Sequence, residues 1–325
     1  MIPGEFERNS DLVGRLMDAT ARVECQYTRD ASFVDVKLRN VASTIRSRIG
    51  FGRLSDSPWS SRFSPLVLTY PRLQSESFGP IPNDVLDRAT LAHLYFLIFS
   101  VLDDRRRDGQ VSMSPEEVEY SAWIFRRGLD LLGEIVDEKE LEWLANTVQQ
   151  RYEESHCKLD ASAWDPARGF RDEAKHVVVG RSYWGLLSTL AITHRFSEVP
   201  DTIAQVIEAF EVLVWGIQWA DDIEDWRDDL RTGDDNLLLL SLGAALTDAH
   251  ECARQISDQR AIQKGCEEVR ASFAHAARIQ EKLGCETLAA LIVDRSHNLI
   301  AVEHDAIGEC SRDILAQEIL SGRSA

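Results

Sequence analysis

Two groups of carboxylates follow stretches of sequence too apolar to lie at a surface. Leu94 to Leu102 is apolar on nearly every helical face and runs directly into Asp103, Asp104 and Asp108. A helix that is apolar all round is a buried one. Asp104 and Asp108 are four residues apart and share a face, with Asp103 beside them. Val212 to Ala220 repeats the pattern and delivers Asp221, Asp222, Asp225 and Asp229. The four-residue step from Asp221 to Asp225 to Asp229, with Asp222 three from Asp225, puts the carboxylates on one face. Carboxylates at a helix C-terminus meet the negative end of its dipole, and like charges at this spacing repel. Cations must compensate: Arg105, Arg106 and Arg107 in the first group, or metal ions in either. A solvated acidic face is the ordinary meaning of one such group. Two core helices that finish in the same acidic pattern call for a shared reason.

The chemistry that suits this arrangement is diphosphate departure. Oxygen ligands hold Mg²⁺, which keeps some of its waters and bridges substrate phosphates. As a Lewis acid it stabilises a leaving group. A prenyl diphosphate that loses diphosphate becomes an allylic carbocation, and aromatic faces attract cations. Leu94, Phe96, Phe99, Trp215 and Trp219 are placed to contain the hydrocarbon. Plain core packing is the commoner role for any one of them.

With these motifs on the page, the sequence resembles the class I isoprenoid synthases, the superfamily of trans-prenyl diphosphate synthases and class I terpene cyclases. Gln218-Trp219-Ala220-Asp221-Asp222-Ile223-Glu224-Asp225 is similar to the prenyl-synthase motif Q-x-x-D-D-x-x-D, and Gly233 and Asn236 resemble its continuation. The segment also overlays the cyclase triad N/D-D-x-x-S-x-x-x-E, with Asp221, Asp225 and Asp229 as ligands. Asp103 to Asp108 resembles the first motif as D-D-x-x-x-D instead of D-D-x-x-D. Upstream, Lys175 to Leu187 looks like the cyclase segment in which an arginine contacts the diphosphate beside a small-residue break. Arg181 would be that arginine, with Gly180, Ser182 and Gly185 weakening the helix. Arginine is a natural bidentate phosphate partner.

The resemblance implies Mg²⁺, three ions, on Asp103, Asp104, Asp108, Asp221, Asp222, Asp225 and Asp229. It implies catalytic roles for Asp103, Asp104 and Arg181. Arg181, Lys175, Gln218, Tyr183, Phe96, Phe99, Trp215 and Trp219 would bind substrate, a farnesyl or geranylgeranyl diphosphate. It also implies a homodimer, by analogy alone. The leading expectation is a Mg²⁺-dependent terpene cyclase. The alternatives are a prenyltransferase, chain-elongating or attaching a prenyl group to an acceptor, and a non-catalytic helical partner subunit. Chain-elongating relatives carry a basic G-x-K-x-x-R segment near the N-terminus, and Lys37, Arg39, Arg46 and Arg48 do not match it. Arg126-Arg127 comes too late for their arginine pair, and Arg295-Ser296-His297 does not match the cyclase Arg-Tyr pair.

The elements that must position these groups are helices. Apolar residues recur at spacings of three and four. They predict helices over Glu5–Arg29, Ala31–Ile49, Asp84–Asp108, Glu138–Cys157, Asp172–His194 and Pro200–Leu230, with two or three more after Asn236. Ser114-Pro115-Glu116-Glu117 is a capping-box start for a helix to Val136. No segment alternates with period two between turn signals, so strands are not expected. Prolines gather early, at Pro58, Pro65, Pro71, Pro80 and Pro82. The expected fold is all-α: one domain of about ten helices around a central apolar cavity. Residues 1–83 would be less regular N-terminal helices and loop, and residues 84–325 the bundle core.

Composition narrows the partners. The chain has 325 residues, 54 acidic against 36 basic, and a net charge of −18. No positive field exists to displace counterions from nucleic acid or to hold an anionic membrane surface. A hydrophobic fraction of 44% is that of a globular chain. The six cysteines form no CxxC pair, which reads as free buried thiols and a cytoplasmic setting. The N-terminus has no signal-peptide pattern, and the longest apolar run, about a dozen residues, is short for a membrane span. The eight histidines show no paired metal spacing, and no GxSxG or P-loop motif occurs.

Overall fold

The computed structural model describes residues 3–46, 64–107, 109, 111–156, 159, 161–165, 168–199, 201–243 and 248–320. Among them are fourteen α-helices and one two-stranded ribbon. Asp108 and Cys157 lie outside the described residues, as does the part of the proline-rich stretch at 47–63. The chain groups into two compact units. The first comprises Met1–Glu153, Arg181–Val206 and Leu283–Leu288; the second comprises Glu154–Gly180, Ile207–Lys282 and Ala289–Ala325.

In the first unit, helix α5 (Asn83–Arg107) packs against α1 (Pro3–Phe33), α4 (Tyr70–Gln74), α6 (Pro115–Gly133) and α9 (Leu187–Phe196). Helices α2 (Val36–Arg46), α3 (Pro65–Leu68) and α7 (Glu138–Glu154) complete the unit. The all-round apolarity of α5 has the expected result: Leu94, Tyr95, Phe96 and Ile98 are fully buried. Gly128 of α6 allows the close approach, because a Cβ there would lie 2.8 Å from the Phe96 ring. The helix start at Ser114 is a full capping box with Glu117 and with Pro115 in the first turn. Buried Asp30 of α1 ties three helices together. It accepts from Tyr95 Oη at 3.1 Å, Arg127 Nε at 3.0 Å and Gln26 Nε2 at 2.7 Å. Each donor gains a charge-assisted bond, the strong kind.

The second unit contains α8 (Asp172–Gly180), the body of α10 (Thr202–Thr232), α11 (Leu237–Ser241), α12 (Ala249–Asp258), α13 (Ala261–Leu283) and most of α14 (Glu286–Leu320). Small residues let α10 and α13 touch. A Cβ at Gly216 would come 2.7 Å from the Phe273 ring, and one at Gly265 would come 2.9 Å from Trp219. Trp226 of α10 is fully buried. Arg227 binds α14 through Asp313 at 2.6 Å and Glu309 at 2.9 Å.

Four local departures from the sequence expectation have physical causes. The helix predicted over Asp172–His194 is broken: α8 ends at Gly180, a 3₁₀ turn spans Tyr183–Leu186, and α9 begins at Leu187. Gly180 and Gly185 weaken the helix there, as the resemblance implied. A strand pair does occur: Trp164 pairs with Phe170 and Asp165 with Gly169. It is too short for a period-two pattern to show, and Gly169 turns it with φ of +78°. Four helices, not two or three, follow Asn236. Finally, α5 and α10 each hold a stretch long and apolar enough to cross a membrane by length and composition. Uninterrupted run length understated this, because isolated polar residues punctuate both. In α5 67% of that stretch is buried within the protein, the usual place of a core helix.

Cys252, Cys266, Cys285 and Cys310 are buried free thiols, whereas Cys25 is exposed. Burial pushes the four buried thiols up to about 11, so they are held as inert thiols.

Candidate functional site

The first acidic group closes α5. Asp103 is buried, and protein donors surround both its oxygens. Oδ1 accepts from Arg106 Nε at 3.1 Å and Nη2 at 2.6 Å; Oδ2 accepts from Arg107 Nε at 2.7 Å and Tyr152 Oη at 3.1 Å. Burial works to raise the Asp103 carboxyl, and the hydrogen bonds from Arg106 and Arg107 outweigh it and hold it below the usual range. The Tyr152 phenol is pushed up, first by burial and then by the Asp103 charge. Arg107 also grips Glu153, at 3.0 and 2.9 Å. The cations that offset the helix dipole are therefore the intervening arginines themselves. Asp104 beside it is half-buried.

The second group sits on α10 and is built differently. Asp222 is buried, with Oδ1 accepting from Gln218 Nε2 at 2.7 Å and Oδ2 from the Leu237 backbone N–H at 2.6 Å. Burial pushes its carboxyl up to about 7, against those two bonds and with help from Asp229 and Asp221. Asp229 is raised by burial and by the charges of Asp225, Asp234 and Asp228, against the bond from Asn236. Glu224 is raised too, by burial and by Asp225. Asp221 and Asp225 lie on the exposed side of the same face. Neutral groups, Gln218, the Leu237 N–H and Asn236, hold Asp222 and Asp229, where arginines hold Asp103.

Asn236 is the hub of this arrangement. Its Oδ1 accepts from the Leu239 N–H at 3.0 Å and caps α11, while its Nδ2 donates to Asp222 O at 2.9 Å and Asp229 Oδ2 at 2.7 Å. Asn236→Ala should destabilise the protein by about 2 kcal/mol, from the lost cap and the lost bond to the Asp229 carboxylate. It should also weaken Mg²⁺ binding by about 10- to 100-fold, as lost outer-shell partners do. Thermal melts with and without Mg²⁺ measure both. Asn236→Ser should recover the cap and not the metal affinity.

The fit to Mg²⁺ differs between the groups. The α10 donors are all oxygens, the ligand type that suits Mg²⁺, and burial first, then neighbouring carboxylates, raises Asp222 and Asp229. Among the described residues, no three Asp, Glu, His or Cys side chains already converge as a metal's ligands do. Asp221 and Asp225 are exposed on the same helix face. Asp103 could join a ligand set only by surrendering arginine contacts.

The predicted substrate-binding residues fall into two sets. In the first unit, Phe96 and Phe99 gather with Phe125 around Trp184, at centroid distances of 4.7 to 6.1 Å. Phe96 is fully buried and acts as core there; Phe99 is half-buried. Tyr183 is buried beneath the Arg151 guanidinium, and Arg181 stands half-buried at the helix break. His93 of α5 pins that break, with ring nitrogens 2.7 Å from Gly185 O and 2.7 Å from Val67 O. In the second unit, Lys175, Trp215 and Trp219 share the wall of a cavity of about 260 Å³ with Trp164, Phe170 and Lys264. Tyr152, Trp184, Phe170 and Lys264 were not legible as site residues. Each belongs to an unremarkable segment and acquires a role only through its neighbours.

The fold is similar to that of the geranylgeranyl pyrophosphate synthetase from the archaeon Geoglobus acetivorans. The TM-score is 0.65 at 12% identity, over 86% of this chain and 97% of that one. The chain has the class I isoprenoid synthase fold. A geranylgeranyl pyrophosphate synthetase from Pyrococcus horikoshii Ot3 superposes with a TM-score of 0.49 at 13% identity, over 94% of this chain and 98% of that one. No protein-family model matches the chain, and no curated protein matches its sequence. Within the isoprenoid-synthase fold, the α10 carboxylate face is the feature most unlike an ordinary solvated surface.

Proposed function

We propose that this protein is a Mg²⁺-dependent prenyltransferase, which moves the prenyl group of an allylic diphosphate to an acceptor. The observation that carries the reading is the self-repelling carboxylate face of α10, braced by Gln218 and Asn236. Support for transfer over cyclisation, the leading expectation from sequence, comes from the solved relative of similar fold, a geranylgeranyl pyrophosphate synthetase. Asp221, Asp222, Asp225 and Asp229 would hold metal; by the sequence resemblance, Asp104 and Asp108 would be ligands too. Bound there, Mg²⁺ supplies Lewis-acid stabilisation of the departing diphosphate. Arg181 would bind the diphosphate oxygens. Asp103, saturated by Arg106, Arg107 and Tyr152, would keep the end of α5 in place. Farnesyl and geranylgeranyl diphosphates are the substrates to try.

Terpene cyclisation is the second reading, favoured by the lack of the N-terminal G-x-K-x-x-R segment. One assay separates them. Purified protein with Mg²⁺ and either diphosphate should release diphosphate only when an acceptor such as isopentenyl diphosphate is added, and chelation with EDTA should abolish release. Release without any acceptor would replace transfer by cyclisation. No turnover under either condition would leave the non-catalytic partner.

A further inference from the structure

The cavity in the second unit reverses the character of the molecule around it. Its walls are aromatic. Trp215 and Trp219 stand edge to face at 6.3 Å and 89°, and Phe170 meets each of them edge-on at 5.7 Å. Trp164 lies 4.8 Å from Phe170 across the ribbon. Gly265 makes room, since any Cβ there would collide with Trp219. Three cations also line the space: Lys175, whose Nζ is 5.6 Å from the Trp215 ring centroid, Arg168 and Lys264. The acid on the lining is Glu268, which accepts from Trp215 Nε1 at 2.9 Å.

Three cations against one carboxylate is a local excess of positive charge in a protein of net charge −18. Arg168 and Lys264 stand exposed at its rim and Lys175 is half-buried, so an anion entering the space would meet three cations and one carboxylate. Rigid rings suit a flat, unsaturated body, and the cations suit a carboxylate or phosphate head. The lining does not use the α10 carboxylates, so binding needs no metal.

We propose that this cavity is a metal-independent site for a second small substrate, an anion with an unsaturated or aromatic body. The head would be held by Lys175, Lys264 and Arg168, and the body by Trp215 and Trp219. Only the cavity's role as acceptor site rests on the transferase reading; the binding itself does not.

Isothermal titration in EDTA tests it with two probes, isopentenyl diphosphate and para-hydroxybenzoate, which separate a diphosphate head from a carboxylate one. At least one should bind saturably, with Kd below about 1 mM. Lys264→Glu should weaken that binding at least about tenfold, because it replaces a cation at the rim with a repelling charge. Lys282→Glu, the same charge change at the end of α13, should bind as the wild type does. Failure of both probes to saturate, or equal binding by Lys264→Glu and the wild type, overturns the proposal. A protein that binds in EDTA and shows no turnover with Mg²⁺ refutes the transferase reading and leaves the site.

Discussion

Asp225→Asn lowers kcat/KM for Mg²⁺-dependent diphosphate release by about 100- to 1,000-fold, the several kcal/mol expected when a metal that stabilises a leaving group loses a ligand. The choice of residue matters. Asp222 is buried and braces the start of α11 through Leu237. Its amide variant would place an NH₂ against one of two donors, Gln218 Nε2 or the Leu237 N–H, so lost activity could reflect lost structure. Asp225 lies on the exposed side of the face, beside Asp229, whose carboxyl it helps to raise. Neutralising it relieves repulsion, and the metal-free variant should melt no lower than the wild type. Saturating Mg²⁺ should raise the wild-type Tm by a few degrees, as a ligand at about 100 times its Kd adds about 2.7 kcal/mol. Much of that rise should vanish in the variant. Circular dichroism melts alongside steady-state kinetics measure all three effects. Wild-type kcat/KM in the variant would remove the α10 carboxylates from the chemistry.

His93→Gln destabilises the protein by about 1–3 kcal/mol at neutral pH and makes it less sensitive to acid. The ring bridges two backbone carbonyls, Val67 O and Gly185 O, inside the core of the first unit. The neutral ring carries one N–H and donates to one of them, and glutamine cannot keep both that bond and the ring's packing. Burial pushes the His93 imidazole down to about 4, against the pull of the two carbonyls. The folded state therefore keeps the ring neutral, while the unfolded chain takes up a proton below the usual 6.5. Between those values the unfolded state binds more protons, so stability falls as pH falls. The contribution is complete above 6.5 and is lost on the way to 4, a span worth about 3 kcal/mol. Glutamine does not titrate, so the stability gap between variant and wild type should close as pH approaches 4. Urea unfolding at pH 7, 5.5 and 4.5 measures the gap. A gap that stays constant would show that His93 does not titrate between the two states. The readout extends to function through Gly185, which lies in the turn that follows Arg181. The variant should show a higher KM for the prenyl diphosphate if that turn sets the arginine's place.

What could be read from the chain alone was local. The four-residue step from Asp221 to Asp229, the capping box at Ser114 and the weakness around Gly180 depend on residues within one or two helical turns. A periodic backbone turns such spacings directly into faces, starts and breaks. The all-α class follows from the same regularity, and so does the burial of α5. The identity of a side chain's partner is another matter. Asp103 and Asp222 sit in similar acidic runs, yet one is neutralised by Arg106, Arg107 and Tyr152, whereas the other is raised to about 7 by burial. Tyr152 comes from a different helix, and the Leu237 N–H that holds Asp222 comes from beyond the end of α10. Phe96 and Trp215 likewise have the same apolar surroundings in sequence, but Phe96 fills core against Gly128 while Trp215 lines a cavity. The cavity depends on a two-residue ribbon too short to leave a pattern. Periodicity therefore determined which residues share a helical face. Packing between segments distant in sequence decided which carboxylates are paired with arginines, which are raised by burial, and which aromatic rings line a cavity, because burial and charge pairing are properties of the neighbours that folding brings together.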